Sequence, residues 1–223
     1  MMTHPMNHRR NVYIVDDDSG SRMSAAVFLK SLGFEPSPFA SGHDFLKNIH
    51  ERQPGCVLLE LCMAGLDGLD VLDRMGDTRL ELPVVMMSDN GDIASALRAI
   101  KKGALDFLEK PLTREALIEA LREVFDRLEN RLASRGERER ALALMESLTR
   151  RERQVLQKLG DGLSNKAIAF ELGISTRTVE MHRANLMRRL KVRSLPEAMA
   201  IVFQATKQPE ALPDTHAIHN HTN

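Results

Sequence analysis

The sequence predicts an α/β protein in which a five-stranded, doubly wound parallel sheet precedes a small all-helical domain. Short apolar runs alternate with amphipathic stretches over the first 125 residues, the pattern of repeated βα units. Four of those runs end in polar residues at the position where such sheets bind ligands. A charged stretch then leads to four short amphipathic segments, each preceded by a helix-capping residue.

The elements follow in order. "NVYIVDD" is a strand, "SRMSAAVFLKSLGF" a helix, "EPSPF" a short strand, "SGHDFLKNIHER" a helix and "CVLLELC" a buried strand. "DVLDRMGDT" gives a helix, "LPVVMMSD" a strand, "IASALRAIKKGA" a helix and "DFLEKP" the fifth strand. "TREALIEALREVFDRLENRLASR" is a long helix opened by Thr113 as N-cap. Its continuation is rich in charge and broken by Gly136, which reads as a partly helical linker. The apolar seam of Leu128 and Leu132 is too short for a dimeric coiled coil.

Beyond the linker, Thr149 with Glu152 and Ser194 with Glu197 have capping-box spacing, and Ser164 and Ser175 precede the two middle helices. Gly173 in "ELGISTRT" supplies the tight turn of a helix-turn-helix. The expected organisation is 10–128 for the α/β domain, 129–145 for the linker, 146–206 for the helical domain and 207–223 for a disordered tail. In that tail His216, His219 and His221 form no expected physiological metal site.

Composition bounds the function. The 223 residues carry 31 basic and 31 acidic side chains, but residues 146–206 hold 11 Lys or Arg against 6 Asp or Glu. The C-terminal domain is basic and the rest acidic by five charges, which points to different partners. The two cysteines, Cys56 and Cys62, lack metal-ligand spacing and read as reduced thiols. With no apolar run of about 18 residues and no signal peptide in "MMTHPMNHRR", a cytoplasmic protein is expected.

The strand-end residues are Asp16 and Asp17, Glu60, Ser88 and Lys110. Carboxylates held together repel unless a cation neutralises them, and an oxygen-only set suits Mg²⁺. Lys110 and the Ser88 hydroxyl would then grip the oxygens of a phosphoryl group. The order and spacing resemble the receiver domain of bacterial response regulators, CheY- or flavodoxin-like in fold and nearest the FixJ type, over residues 10–128. That resemblance makes Asp16 and Asp17 the acid pair that helps hold Mg²⁺, with Glu60 and Cys62 the further candidate metal positions. It makes Ser88, Phe107 and Lys110 the switch residues and puts Glu60 at the phosphoacceptor position, where the family has aspartate.

Neighbouring positions depart as well. Cys62 and Ala64 replace the family's arginine and proline, and Asp89 follows Ser88 where a small residue is expected. Asp89 reads either as a cap for the helix starting near Ile93 or as one more negative charge at the pocket. The added methylene of Glu60 moves its carboxylate by roughly 1 to 1.5 Å, and a misplacement of about 1 Å can cost on the order of 10²-fold in rate. Phosphorylation-independent behaviour is expected, either as a standing active state or as an inert receiver. The alternative is conventional kinase control.

The segment 146–206, with "LTRRERQVL", "GLSNKAIA" and "STRTVEMHRANLMRRL", resembles the LuxR-type helix-turn-helix of FixJ and NarL regulators. The resemblance implies phosphate contacts from Lys166, Thr178, Arg183 and Arg188, and base reading by Glu180, Met181 and Ala184. It implies a transcription regulator rather than an enzyme, binding promoter double-stranded DNA as a homodimer paired through the helix 195–205. A sensor histidine kinase and RNA polymerase are the further partners it allows. "VYIVDDDSG" also faintly resembles haloacid-dehalogenase phosphatases, with Asp16 as nucleophile and Asp18 as acid, but no matching threonine motif or cap domain follows.

Overall fold

The structure, a computed structural model, describes residues 10–89 and 92–207. Five parallel strands, β1 (Asn11–Val15), β2 (Glu35–Phe39), β3 (Gly55–Glu60), β4 (Val84–Ser88) and β5 (Asp106–Glu109), form one sheet in the order β2-β1-β3-β4-β5. The chain reverses its winding direction between β1 and β3, and the crevice this opens at their carboxyl ends is where doubly wound sheets hold their site.

Burial explains the strand sequences. β3 and β4 are buried at every residue and read as unbroken apolar runs ending in Glu60 and Ser88. β2 is an edge strand, which is why it tolerates Pro36 and Pro38, residues without an amide proton to donate. The main core joins Val15, Val57, Leu59, Val84 and Met86 of the sheet to Phe45, Leu72 and Met75.

Helix α1 (Ser19–Ser31) is capped by Asp18, and α3 (Gly68–Met75) by Asp67. The stretch read as one helix over 41–52 is instead α2 (Gly42–Leu46), a left-handed Asn48 and a 3₁₀ turn at Ile49–Glu51. Arg52 closes it, donating to the carbonyls of Asp44, Phe45 and Lys47 while its guanidinium lies over Tyr13, Phe39 and Phe45. Helix α4 (Ile93–Lys101) is capped by Asp92, whose side chain accepts from the Ser95 amide at 2.8 Å, and not by Asp89.

Thr113 does open α5, accepting from the Ala116 amide at 3.3 Å. This helix runs unbroken over Arg114–Glu146, through Gly136. A single helical glycine costs only about 1 kcal/mol relative to alanine, too little to break so long a helix. The predicted linker residues are therefore helical. The chain divides into two compact units near residues 130 and 131.

The second unit contains α6 (Arg150–Gly160), α7 (Asn165–Leu172), α8 (Thr176–Leu190) and α9 (Leu195–Thr206) around its own core of Leu148, Val155, Leu156, Leu159, Ile168, Val179, Leu186 and Leu190. Thr149 and Glu152 form the complete capping box, and Ser164 and Ser175 cap α7 and α8. Ser194 caps α9 by accepting from the Glu197 amide, while the Glu197 carboxylate accepts from the Arg193 amide, one residue before the amide a complete box would use. Gly173 sits at φ +64°, the left-handed conformation that lets α7 stop and α8 begin three residues later. The tail with its histidines lies outside the described residues.

Candidate functional site

Four strand ends bring the α/β site together. Asp16 follows β1, Glu60 ends β3, and the Lys110 amide donates to the Ser88 carbonyl at 2.8 Å, holding the end of β5 beside the end of β4. Asp16, Glu60 and Ser88 are all buried, at 1%, 3% and 2% exposure. The Lys110 ammonium lies between the two acids, 2.8 Å from Asp16 Oδ2 and 2.5 Å from Glu60 Oε2. The second contact has the distance of an ion pair without the directionality of a hydrogen bond, so Coulomb attraction carries it.

The remaining carboxylate oxygens are also engaged. Asp16 Oδ1 accepts from the Asp18 amide at 2.9 Å, and Glu60 Oε1 from the Cys62 amide at 3.1 Å. Burial pushes the Glu60 carboxyl above its ordinary range, against the opposing pull of Lys110 and the Cys62 amide. Burial alone would lower the Lys110 ammonium, but its hydrogen bond to Asp16 and its charge attraction to Asp16 and Glu60 outweigh that and hold it above its ordinary value.

The other predicted positions lie around this triad. Asp17 is exposed and its Oδ2 accepts from the Ala64 amide at 2.7 Å, tying the start of α1 to the loop after β3. Cys62 offers its backbone amide to Glu60 while its thiol is exposed. Asp89 is exposed, with its carboxylate 3.9 Å from the Lys110 ammonium, so of its two readings the structure favours the charge at the pocket. Phe107 packs against the main core. Asp18, the acid of the phosphatase alternative, caps α1 by accepting from the Ser21 amide.

As arranged, these residues do not fit a divalent cation. Asp16 and Glu60 converge on an ammonium, Asp17 turns to an amide of the opposite loop, and Cys62 presents no sulfur to the cluster. Among the described residues no group of three His, Cys, Asp or Glu side chains is placed to ligate a metal. Lys110 supplies the neutralising charge that a carboxylate cluster needs.

The second site is the face of α8. Arg177, Glu180, Met181, Arg183, Ala184 and Arg188 are exposed, and Thr178 is half-buried with its hydroxyl 2.8 Å from that of the capping Ser175. Lys166 is exposed near the start of α7. Arg188 donates to Asn185 at 3.0 Å. Arg189, which by position belongs to the same basic helix, folds back at the surface toward the start of α6 instead. It lies 3.3 Å from Glu152 and donates to the Ser147 carbonyl at 3.1 Å. Sequence reasoning missed that role, because the Thr149–Glu152 spacing marks the acid but not the helix that packs against it.

A five-stranded parallel sheet with an acid, hydroxyl and lysine at its strand ends, joined to a helix-turn-helix, defines a DNA-binding response regulator. The comparisons agree: the family described as response regulator receiver domain matches residues 12–122, and that described as bacterial regulatory proteins, luxR family, matches residues 146–202. The transcriptional regulatory protein FixJ of Azorhizobium caulinodans is 37% identical over 198 residues, 89% of this chain and 94% of that protein. The response regulator protein TodT of Pseudomonas putida is 32% identical over 90% of this chain and 88% of its own length. The solved structure of the response regulator StyR is 36% identical, with a TM-score of 0.79 over 88% of this chain and all of that one. Full-length FixJ from B. japonicum is also 36% identical, with a TM-score of 0.55 over 88% and 97%. The chain belongs to the FixJ-type response regulators, two-component transcription regulators with a receiver and a LuxR-type DNA-binding domain.

Proposed function

We propose that this regulator works without phosphorylation of its receiver, with the Glu60 carboxylate occupying the phosphoacceptor position. The observation that carries the reading is the 2.5 Å approach of Glu60 to Lys110 beside the 2.8 Å Asp16–Lys110 pair. The ammonium that would grip a phosphoryl oxygen is already held by two fixed carboxylates. An incoming phosphoryl dianion would have to displace Glu60 from Lys110 and approach with Asp89 close by, at a cost in charge repulsion. Receiver domains in general bind Mg²⁺ for phosphorylation and imply a sensor kinase, but the residues here support neither a metal-assisted step nor efficient phosphotransfer.

In this reading the protein is a cytoplasmic, non-catalytic regulator that binds promoter DNA as a homodimer and acts on RNA polymerase. Helix α8 docks in the major groove, with Lys166, Thr178, Arg183 and Arg188 on phosphates and Glu180, Met181 and Ala184 toward base edges.

Glu60→Asp tests the receiver. Shortening the side chain withdraws the carboxylate from Lys110 and frees the space for phosphoryl oxygens. The variant is expected to take up phosphate from a small acyl-phosphate donor, measured by phosphate-affinity gel, while the wild type does not. Equal uptake by both proteins, or uptake by neither, sinks the claim that the extra methylene is what disables transfer.

A further inference from the structure

The exposed stripe of α8 carries a composition that phosphate binding does not explain. Arg177, Glu180, Met181, Ala184 and Arg188 recur at spacings of three and four and share one face, opposite the buried Val179, Leu186 and Leu190. The two arginines are 11 residues apart, about 16 Å along the axis, which suits the two phosphate walls of a groove about 12 Å wide. Between them the stripe is not cationic. Met181 is 53% exposed, with Ala184 one turn further on, and the Glu180 carboxylate makes no hydrogen bond or ion pair with any described residue.

Each of these groups has one favourable counterpart in the major groove. A carboxylate is repelled by phosphates and by the N7 and O6 acceptors of guanine, so it gains only opposite an exocyclic amine. In the major groove the N4 amine of cytosine has an acceptor on one side only, the O6 of its paired guanine, whereas the N6 amine of adenine stands between its own N7 and the O4 of the paired thymine. The apolar patch of Met181 and Ala184 matches the C5-methyl of thymine, the apolar group displayed there. Ala184 is small enough to let that base edge come close to the helix.

We propose that α8 reads a thymine methyl through Met181 and Ala184, next to a cytosine read by Glu180. This rests on the docking of α8 in the major groove and goes beyond it by assigning bases to residues. The test begins with selection of binding sites by the full-length protein from a randomised duplex library. Each thymine in the selected site is then replaced by deoxyuridine, which deletes the methyl and leaves every hydrogen bond in place. One such replacement is expected to weaken binding about fourfold, the factor for one buried methyl-sized group, and to cost Met181→Ala less than about twofold. Exchanging the neighbouring C·G pair for T·A should cost the wild type about tenfold or more, and Glu180→Gln, whose amide can donate to thymine O4, should lose most of that discrimination. A selected site with no methyl-sensitive thymine overturns the assignment while DNA binding stands. So does methyl sensitivity that Met181→Ala leaves intact, or a C·G preference that Glu180→Gln leaves intact. Failure to retain any duplex from the library overturns the docking of α8 and this assignment together.

Discussion

Replacing Lys110 with methionine removes the charge from the centre of the receiver site and keeps most of the volume. Asp16 and Glu60 are then left facing each other, buried, with their neutralising partner gone. At an effective dielectric of about 20, each contact is worth roughly 6 kcal/mol before desolvation, and taking the ammonium out of water cancels much of the sum. Breaking a buried pair by deleting one partner costs about 3–5 kcal/mol. The exposed Asp89 shows that the site opens to solvent on one side, so the lower end, about 3 kcal/mol, is expected. Glu60→Gln should behave oppositely. It keeps the Asp16–Lys110 pair and the acceptor for the Cys62 amide, removes one of two like charges, and should change stability by no more than about 1 kcal/mol.

The molecule contains its own reporter for this comparison. Tyr13 is the single tyrosine, there is no tryptophan, and Tyr13 lies in the receiver core, so urea unfolding followed by tyrosine fluorescence reads that domain alone. The pH dependence adds a second signature. Burial already holds Glu60 above the ordinary carboxylate range, and loss of Lys110 removes a pull in the other direction. A carboxyl whose folded pKa exceeds its unfolded value takes up a proton first in the folded state, so Lys110→Met should regain stability as pH falls through that range. Equal destabilisation by Lys110→Met and Glu60→Gln would refute the view that the ammonium is the neutralising centre, as would a Lys110→Met penalty under about 1 kcal/mol.

Other expectations follow from the same geometry. A Cβ on Gly68 would lie 2.3 Å from the Glu60 carbonyl oxygen, so Gly68→Ala should displace the end of β3 and destabilise the receiver by about 1–3 kcal/mol, seen as a lower urea midpoint of the Tyr13 signal. Arg183→Ala should weaken binding to all duplexes and flatten the salt dependence by about one counterion. Arg189→Ala should leave the salt slope nearly unchanged and instead lower the melting temperature of the C-terminal unit, because its partners are Glu152 and the Ser147 carbonyl. The Glu152 carboxyl pays for burial but is held below its ordinary range by Thr149 and Arg189. The stability it lends the C-terminal unit is therefore present above the unfolded pKa and lost as pH falls through the folded one, which amide NMR of α6 in acid would follow.

What was legible in the sequence, and what was not, divides by the range of the interaction that decides it. The sheet, its strand ends and the capping residues Thr113, Thr149, Ser164 and Ser175 depend on neighbours within a few residues, and alternation of apolar runs or cap spacing reveals them. Asp89 and Asp92 both offer a capping side chain before Ile93, and only the backbone path decides that Asp92 reaches the Ser95 amide. Gly136 has the composition of a break, but one glycine cannot outweigh the cooperative hydrogen bonding of a 33-residue helix. The pairing of Arg189 with Glu152 is set by the packing of α8 on α6, which no local pattern encodes.

Glu60 shows the same limit at the site itself. Its place at the end of β3 follows from the strand pattern, and its extra reach from one methylene, but where that reach goes depends on three strands meeting. In the folded chain Lys110, delivered by β5, stands between β1's Asp16 and β3's Glu60 and answers both charges at once. Asp17, the residue a metal would need as a further ligand, is drawn away to the Ala64 amide, in a loop whose sequence also departs from the family. Of the positions read as departures from the family, Glu60 and Asp89 both lie by the Lys110 ammonium, so these two are understood as one electrostatic site. On the proposed reading, shortening Glu60 to aspartate frees space for a phosphoryl group while leaving Asp89 beside Lys110. Adding Asp89→Ala to Glu60→Asp should therefore raise phosphate uptake above that of Glu60→Asp alone, and an unchanged rate would mean that the exposed Asp89 carboxylate is too well screened to matter.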